Sequence, residues 1–157
     1  MFARKFIDHV DTHADHLCEE FMQKIKRSER CKEFLQKVPA EDQRQTTREI
    51  YKNLTDWLLT NTDTVTEARY VGVGMRRAQQ GVPLSGLFWA VRATREYFWE
   101  YVERETLLDT PGDFWGGIQL LRKMDQFFDR ALYFVIIGYE TTRKDDIGKL
   151  AAVPTKK

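Results

Sequence analysis

The sequence predicts an all-α fold, a single-domain helical bundle of about six helices, and three observations predict it. Apolar residues recur at spacings of three and four through most of the chain, the signature of amphipathic helices. The breakers Pro39, Gly81, Pro83 and Pro111 stand between those runs and divide them into helix-length pieces. At 157 residues, 42% hydrophobic and 31% charged, the chain has the size and composition of one soluble domain able to bury a single core. Residues 1–143 are expected to form the domain and 144–157 a flexible C-terminal tail.

The first helix spans residues 2–26. Phe2, Phe6, Ile7, Val10, Ala14, Leu17, Cys18, Phe21, Met22 and Ile25 share one face with no glycine or proline among them. A short second helix covers 28–37, with Phe34, Leu35 and Val38 as its apolar residues and Pro39 as its stop. The third opens with Glu41 and Asp42 at its positive end and buries Thr47, Ile50, Tyr51, Leu54, Trp57 and Leu58. The polar cluster Asn61, Thr62, Asp63 closes it. Thr64 with Glu67 reads as a capping box for a fourth helix whose inward face is Val65, Ala68, Val71, Gly72, Met75 and Ala78. Ala68 and Gly72, one turn apart, predict close approach by a neighbouring helix.

Gly81 follows that run where a left-handed residue would close the helix, and Pro83 suits the first turn of the next. In the fifth helix Leu84, Leu87, Phe88, Val91, Phe98, Tyr101 and Val102 fall on one face. Arg95 projects among Phe88, Val91, Phe98 and Val102, whereas Trp89 projects to the opposite side with Arg92 and Glu96. The segment 109–113, with Thr110, Pro111 and Asp113, caps the sixth and longest helix, which is expected to run from 111 to 143. Its inward face reads Phe114, Ile118, Leu121, Phe128, Leu132, Val135 and Tyr139, with Asp125 at the edge. Residues 132–138 are apolar on every side, so the helix is either central in its own fold or shared with a second subunit.

The run Gly72, Arg76, Gln80, Gly81, Val82, Pro83, Leu84, followed by Arg95 and Trp99 in a long helix, resembles the N-terminal helical domain of RsbT co-antagonist regulators of the RsbR and RsbRD type. The segment 125–139, DQFFDRALYFVIIGY, is similar to the last helix of that family. Together the match covers about the C-terminal half of the chain. The resemblance implies a sensory input module of the stressosome, without enzyme activity, in a globin-like arrangement of helices.

Composition narrows the remaining options. A formal net charge of +1, from 25 basic and 24 acidic residues mixed along the chain, argues against a dedicated nucleic-acid surface. The longest apolar run, 131–138, is far short of the roughly 20 residues needed to span a bilayer, and no signal-peptide core opens the chain. A cytoplasmic protein is expected, with Cys18 and Cys31 as reduced thiols. There is no nucleophile elbow and no paired-cysteine motif, and the glycines at 72 and 74 follow no strand, so a phosphate loop is not supported.

Three groups of residues are candidates for function. Arg95 and Asp125 are the charged residues expected nearest the core, either paired with each other or facing a ligand pocket with Phe88, Phe98 and Met75. Trp89, Trp115, Phe134 and Ile137 are candidates for a contact surface. His9, His13, His16 and Glu20 lie along one stripe of the first helix, where imidazoles and a carboxylate would face a divalent metal, although a solvated helix flank is the plainer reading. No cofactor is expected, and haem is disfavoured because the second half of the chain has no histidine. The expected function is a non-catalytic sensory module that dimerises and relays a signal to a downstream regulatory protein. The alternative is a stand-alone small-molecule or metal-binding protein.

Overall fold

The computed structural model describes residues 2–60, 66–105 and 109–152. Its elements are α1 (Phe2–Ile25), a 3-10 turn (Glu29–Cys31), α2 (Lys32–Lys37), α3 (Ala40–Thr60), α4 (Thr66–Gln79), α5 (Leu84–Arg104) and α6 (Pro111–Ala152). The all-α bundle expected from periodicity is what forms, with no strand among the described residues. No described helix is long and apolar enough to cross a membrane. The expected capping residue Thr64, the cluster 61–63, Val65 and the last five residues lie outside the described residues.

α1 buries Phe6, Val10, Leu17, Cys18, Phe21 and Ile25 as its spacing predicts, but it kinks at His13, whose φ of −112° and ψ of 18° leave the helical region. It packs on α3 and is tied to α5 by the ion pairs Arg104–Glu20 and Lys24–Glu100. Cys18 and Cys31 are buried free thiols, both pushed up in pKa by burial. In α3 the expected residues Thr47, Tyr51, Leu54 and Leu58 turn inward, joined by Gln43 and Thr55.

The inward faces of the last three helices differ from the hydropathy reading. In α4 the core side is Tyr70, Val73, Gly74, Arg77 and Ala78, while Ala68, Gly72 and Met75 are exposed. The close approach exists, but at Gly74: a Cβ there would lie 1.9 Å from the Val135 carbonyl oxygen, whereas nothing lies within 4 Å of Gly72. Its counterpart on α6 is Gly138, where a Cβ would lie 2.0 Å from the Val71 carbonyl oxygen. Two backbones therefore touch, and α4 with α6 forms the most extensive helix contact in the fold. Backbone contact, which hydropathy cannot see, selects the α4 face.

In α5 the core row is Leu87, Ala90, Thr94, Tyr97, Phe98 and Tyr101, and Phe88 and Leu84 are exposed. In α6 it is Leu120, Met124, Phe127, Phe128, Ala131, Val135 and Tyr139. Phe114 and Ile118, expected inside, are 58% and 45% exposed, and Leu121 and Leu132 are half-buried. α6 offers apolar side chains on several sides, so its partners decide which row is buried. The helix also continues past the expected end at Arg143 to Ala152, a length of about 63 Å for its 42 residues.

Local signals at the helix ends agree with the structure. Gly81 has φ 76°, and the hydrogen bonds Val82 N to Arg77 O (3.1 Å) and Gly81 N to Ala78 O (3.1 Å) make a Schellman closure of α4. Pro83 stands at the N-cap of α5 rather than inside its first turn. Thr110 and Asp113 form a reciprocal box at the start of α6, with Asp113 N to Thr110 Oγ1 at 3.0 Å and Thr110 N to Asp113 Oδ2 at 3.2 Å.

Candidate functional site

The core of the bundle holds a cavity of about 60 Å³ bounded by α1, α2, α3, α4, α5 and α6. Phe21, Phe34, Tyr70, Phe127 and Phe128 give it aromatic walls, and aliphatic side chains such as Val73, Leu87 and Val135 complete them. At one edge sits Arg77, 1% exposed and among the largest fully buried side chains of the described residues.

Arg77 is positioned by the corner. It lies on the row Tyr70, Val73, Arg77 of α4, and its own carbonyl accepts the Schellman bond from Val82. Its Nη1 donates to Asp42 Oδ2 (2.7 Å) and Gln80 Oε1 (3.0 Å), and its Nη2 donates to Thr46 Oγ1 (3.0 Å). Gln80 Nε2 donates to the same Asp42 oxygen at 2.8 Å, and the Arg76 guanidinium stands 3.4 Å from Oδ1. Burial by itself pushes the Asp42 carboxyl up in pKa. The hydrogen bonds from Arg77 and Gln80 and the two guanidinium charges outweigh it and hold Asp42 below the usual carboxylate value. Desolvation lowers Arg77, with Asp42 acting in the opposite direction. The network locks the start of α3 to the last turn of α4.

The corner is also fixed to α6. Val82 is fully buried, and its carbonyl accepts a 2.7 Å hydrogen bond from the Tyr139 hydroxyl. Tyr139→Phe leaves that carbonyl unpaired in the core, an expected loss of about 1–3 kcal/mol. Urea denaturation checks it, with a lowered midpoint at unchanged slope.

The sequence singled out Arg95 and Asp125 as the near-core charges. They do meet, with Arg95 Nε 4.0 Å from Asp125 Oδ1, but both are half-buried at the surface, and Arg95 is closer to Asp129 at 3.4 Å. Trp99 Nε1 donates to Asp125 Oδ1 at 3.2 Å. These groups line an open groove with Glu96, Glu100 and Glu103, not a core pocket. The reason is rotation of α5: Thr94 and Tyr97 take the inward positions and move Arg95 to the flank. Of the other expected pocket residues, Phe98 is fully buried in an aromatic stack with Phe6, Tyr51 and Phe128, while Phe88 and Met75 are exposed.

Trp89 is half-buried against the edge of the core, with the guanidinium groups of Arg30 and Arg92 at 4.1 and 4.6 Å from its ring centre. Trp115 is 64% exposed beside Phe114, Ile137 is exposed, and Phe134 is half-buried under Arg130. In the histidine stripe, His9 Nδ1 meets the Tyr101 hydroxyl, His13 packs its ring 4.9 Å from that of His9, and His16 stands 3.5 Å from Glu20. Among the described residues no group of three or more His, Cys, Asp or Glu side chains is arranged to hold a metal ion.

Of the site residues Asp42, Thr46 and Arg77, the sequence singles out only Asp42, and that as an acid at the positive end of a helix. The available signal was the row Tyr70, Val73, Arg77, in which an arginine continues a buried stripe immediately before a glycine corner.

Fold and site together define an all-helical bundle domain with a clamped corner, an apolar cavity and a long terminal helix that rises beyond its core. The chain belongs to the family described as RsbT co-antagonist protein rsbRD N-terminal domain, whose family model matches residues 15–153. That family is one of regulatory, stressosome-associated N-terminal domains. No curated protein and no solved structure matches the chain.

Proposed function

We propose that the chain is a sensory input module that forms a homodimer and relays its signal through α6, by protein–protein contacts, to a downstream regulatory protein in the cytoplasm. It does so without catalysing a reaction. The observation that carries this reading is the two-sided character of α6. One side is locked against α4 at Gly138 and against the corner at Tyr139. The other side exposes Tyr133 and Ile137, and Ile147 lies on that same side past Thr142, the last buried residue among the described residues, with the exposed Glu140 and Lys144 between them. Tyr133, Ile137 and Ile147 lie within about 80° of one another on a helix turning 100° per residue, a width suited to pairing with the same stripe of a second copy about a two-fold axis. Family membership supports a regulatory rather than a metabolic role.

Sedimentation equilibrium of the full chain tests the dimer. The wild type is expected to dimerise at micromolar concentration. The double variant Tyr133→Asp with Ile137→Asp is expected to weaken the dimer at least about tenfold, since each buried unpaired charge is worth more than one decade of affinity. A wild type that stays monomeric throughout that range defeats this reading.

A further inference from the structure

We infer that the central cavity is a binding site for a non-polar molecule of one to three heavy atoms: a noble-gas atom, a diatomic gas or a short hydrocarbon. Size sets the upper limit. An engineered cavity of about 150 Å³ lined by apolar side chains stays dry and takes benzene or xenon, and the cavity here is about 60 Å³. Benzene is excluded, and a one- to three-atom ligand is not.

The wall sets the chemistry. Most of its polar side chains have committed donors to protein oxygen, and the Tyr70 hydroxyl accepts from Asn53 Nδ2 at 3.3 Å. Thr47 Oγ1 donates to the Gln43 carbonyl (2.7 Å) and Thr94 Oγ1 to the Ala90 carbonyl (2.9 Å). Gln43 Nε2 donates to the Val38 carbonyl (2.8 Å), and Arg77 is held by Asp42, Gln80 and Thr46. A water molecule needs two to four polar partners, and a wall that is mostly aromatic and aliphatic, with these donors engaged, leaves it few. A non-polar ligand asks for none, and it restores dispersion contacts that the void forfeits. The ceiling on affinity per heavy atom holds such a ligand to the millimolar range or weaker.

The position of the cavity gives binding a consequence, and that part rests on the input-module reading above. Ala131 and Val135 of α6 and Val73 and Arg77 of α4 share the wall, so an occupant sits against the helix pair whose backbones touch. A ligand changes the α6 equilibrium only through a difference in affinity for two packings of that pair.

Xenon is the probe. In methyl spectra of the full chain recorded against xenon pressure, the wall methyls of Val73, Leu87 and Val135 are expected to shift and saturate in the millimolar range. The exposed methyls of Leu59 and Ile147 are expected to drift linearly. Ala131→Leu and, as a milder filling, Ala90→Val both extend a side chain from the wall. At least one is expected to fold with an unchanged or higher melting midpoint and to weaken saturation at least tenfold. Linear drift at the wall methyls overturns the site, as does wild-type saturation in both folded variants. A long-lived water with nuclear Overhauser contacts to those methyls overturns its non-polar assignment. Sedimentation under the same pressure separates the two readings: saturation with an unmoved dimer constant keeps the site and removes its link to α6, and saturation in a protein that never dimerises overturns the input module alone.

Discussion

Gly138→Ala is expected to lower the melting midpoint by about 5–10 °C, although alanine is the better helix former. Propensity favours alanine by about 1 kcal/mol in a helix interior. Against it stands the Val71 carbonyl oxygen, 2.0 Å from where the new Cβ would be placed. The obstacle is backbone, so no rotamer change relieves it, and α4 and α6 must separate along the most extensive contact in the fold. Overpacking of a tight core costs about 1–3 kcal/mol and occasionally more; for a backbone clash that no rotamer relieves the cost is expected at about 3–4 kcal/mol, which less the propensity gain leaves a net loss of about 2–3 kcal/mol. At roughly 2–4 °C per kcal/mol for a chain of this size, that gives the stated shift. Gly72→Ala is the matched control. Nothing lies within 4 Å of its Cβ position, so it keeps the propensity gain and is expected to melt at or slightly above the wild type. Thermal unfolding followed by circular dichroism reads both variants, and a Gly138→Ala protein as stable as the wild type would refute the backbone contact.

The same pair of glycines shows where the sequence was legible and where it stopped. Helix existence, order and most ends followed from local chemistry, because a Schellman glycine at 81 and a Thr–Asp box at 110 and 113 act within one or two turns. Faces followed where one row is apolar and the other polar, as in α1 and α3. They failed in α4, α5 and α6. There, burial of Arg77 and exposure of Phe88, Phe114 and Ile118 invert the hydropathy ranking. What decides those faces is relational: which backbone touches which, and which acid is in reach of which arginine. The candidate site was accordingly half visible. Gln80, Gly81 and Val82 stood in the motif, but a motif gives spacing along one helix, and the clamp is closed by Asp42 and Thr46 from another. Asp125 stands 4.0 Å from Arg95, but at the surface, where such a pair contributes at most about 1 kcal/mol.

The clamp around Arg77 should respond asymmetrically to the loss of its two charges. Asp42→Ala strands a guanidinium that is 1% exposed, leaving only the neutral acceptors Gln80 and Thr46, and is expected to cost about 3–5 kcal/mol at neutral pH. Arg77→Met removes the buried charge together with its desolvation cost and keeps an unbranched apolar stem against Phe34 and the cavity wall. Asp42 then retains Gln80 at 2.8 Å and Arg76 at 3.4 Å, and the expected loss is below about 1.5 kcal/mol. The pH dependence follows from the sign of the Asp42 shift. Its folded pKa is lower than its unfolded one, so its contribution is fully present above the unfolded value, near 3.9, and is lost as pH falls through the folded value. Urea unfolding of wild type and Asp42→Ala is therefore expected to show its widest separation above about pH 5 and a narrowing gap in acid below about pH 4. Arg77→Met, with its carboxylate less strongly held, is expected to lose less stability than the wild type over that acid range. Equal losses for the two substitutions at neutral pH would mean that Arg77 is solvated and that the corner is held by α6 through Tyr139 rather than by α3 through Asp42.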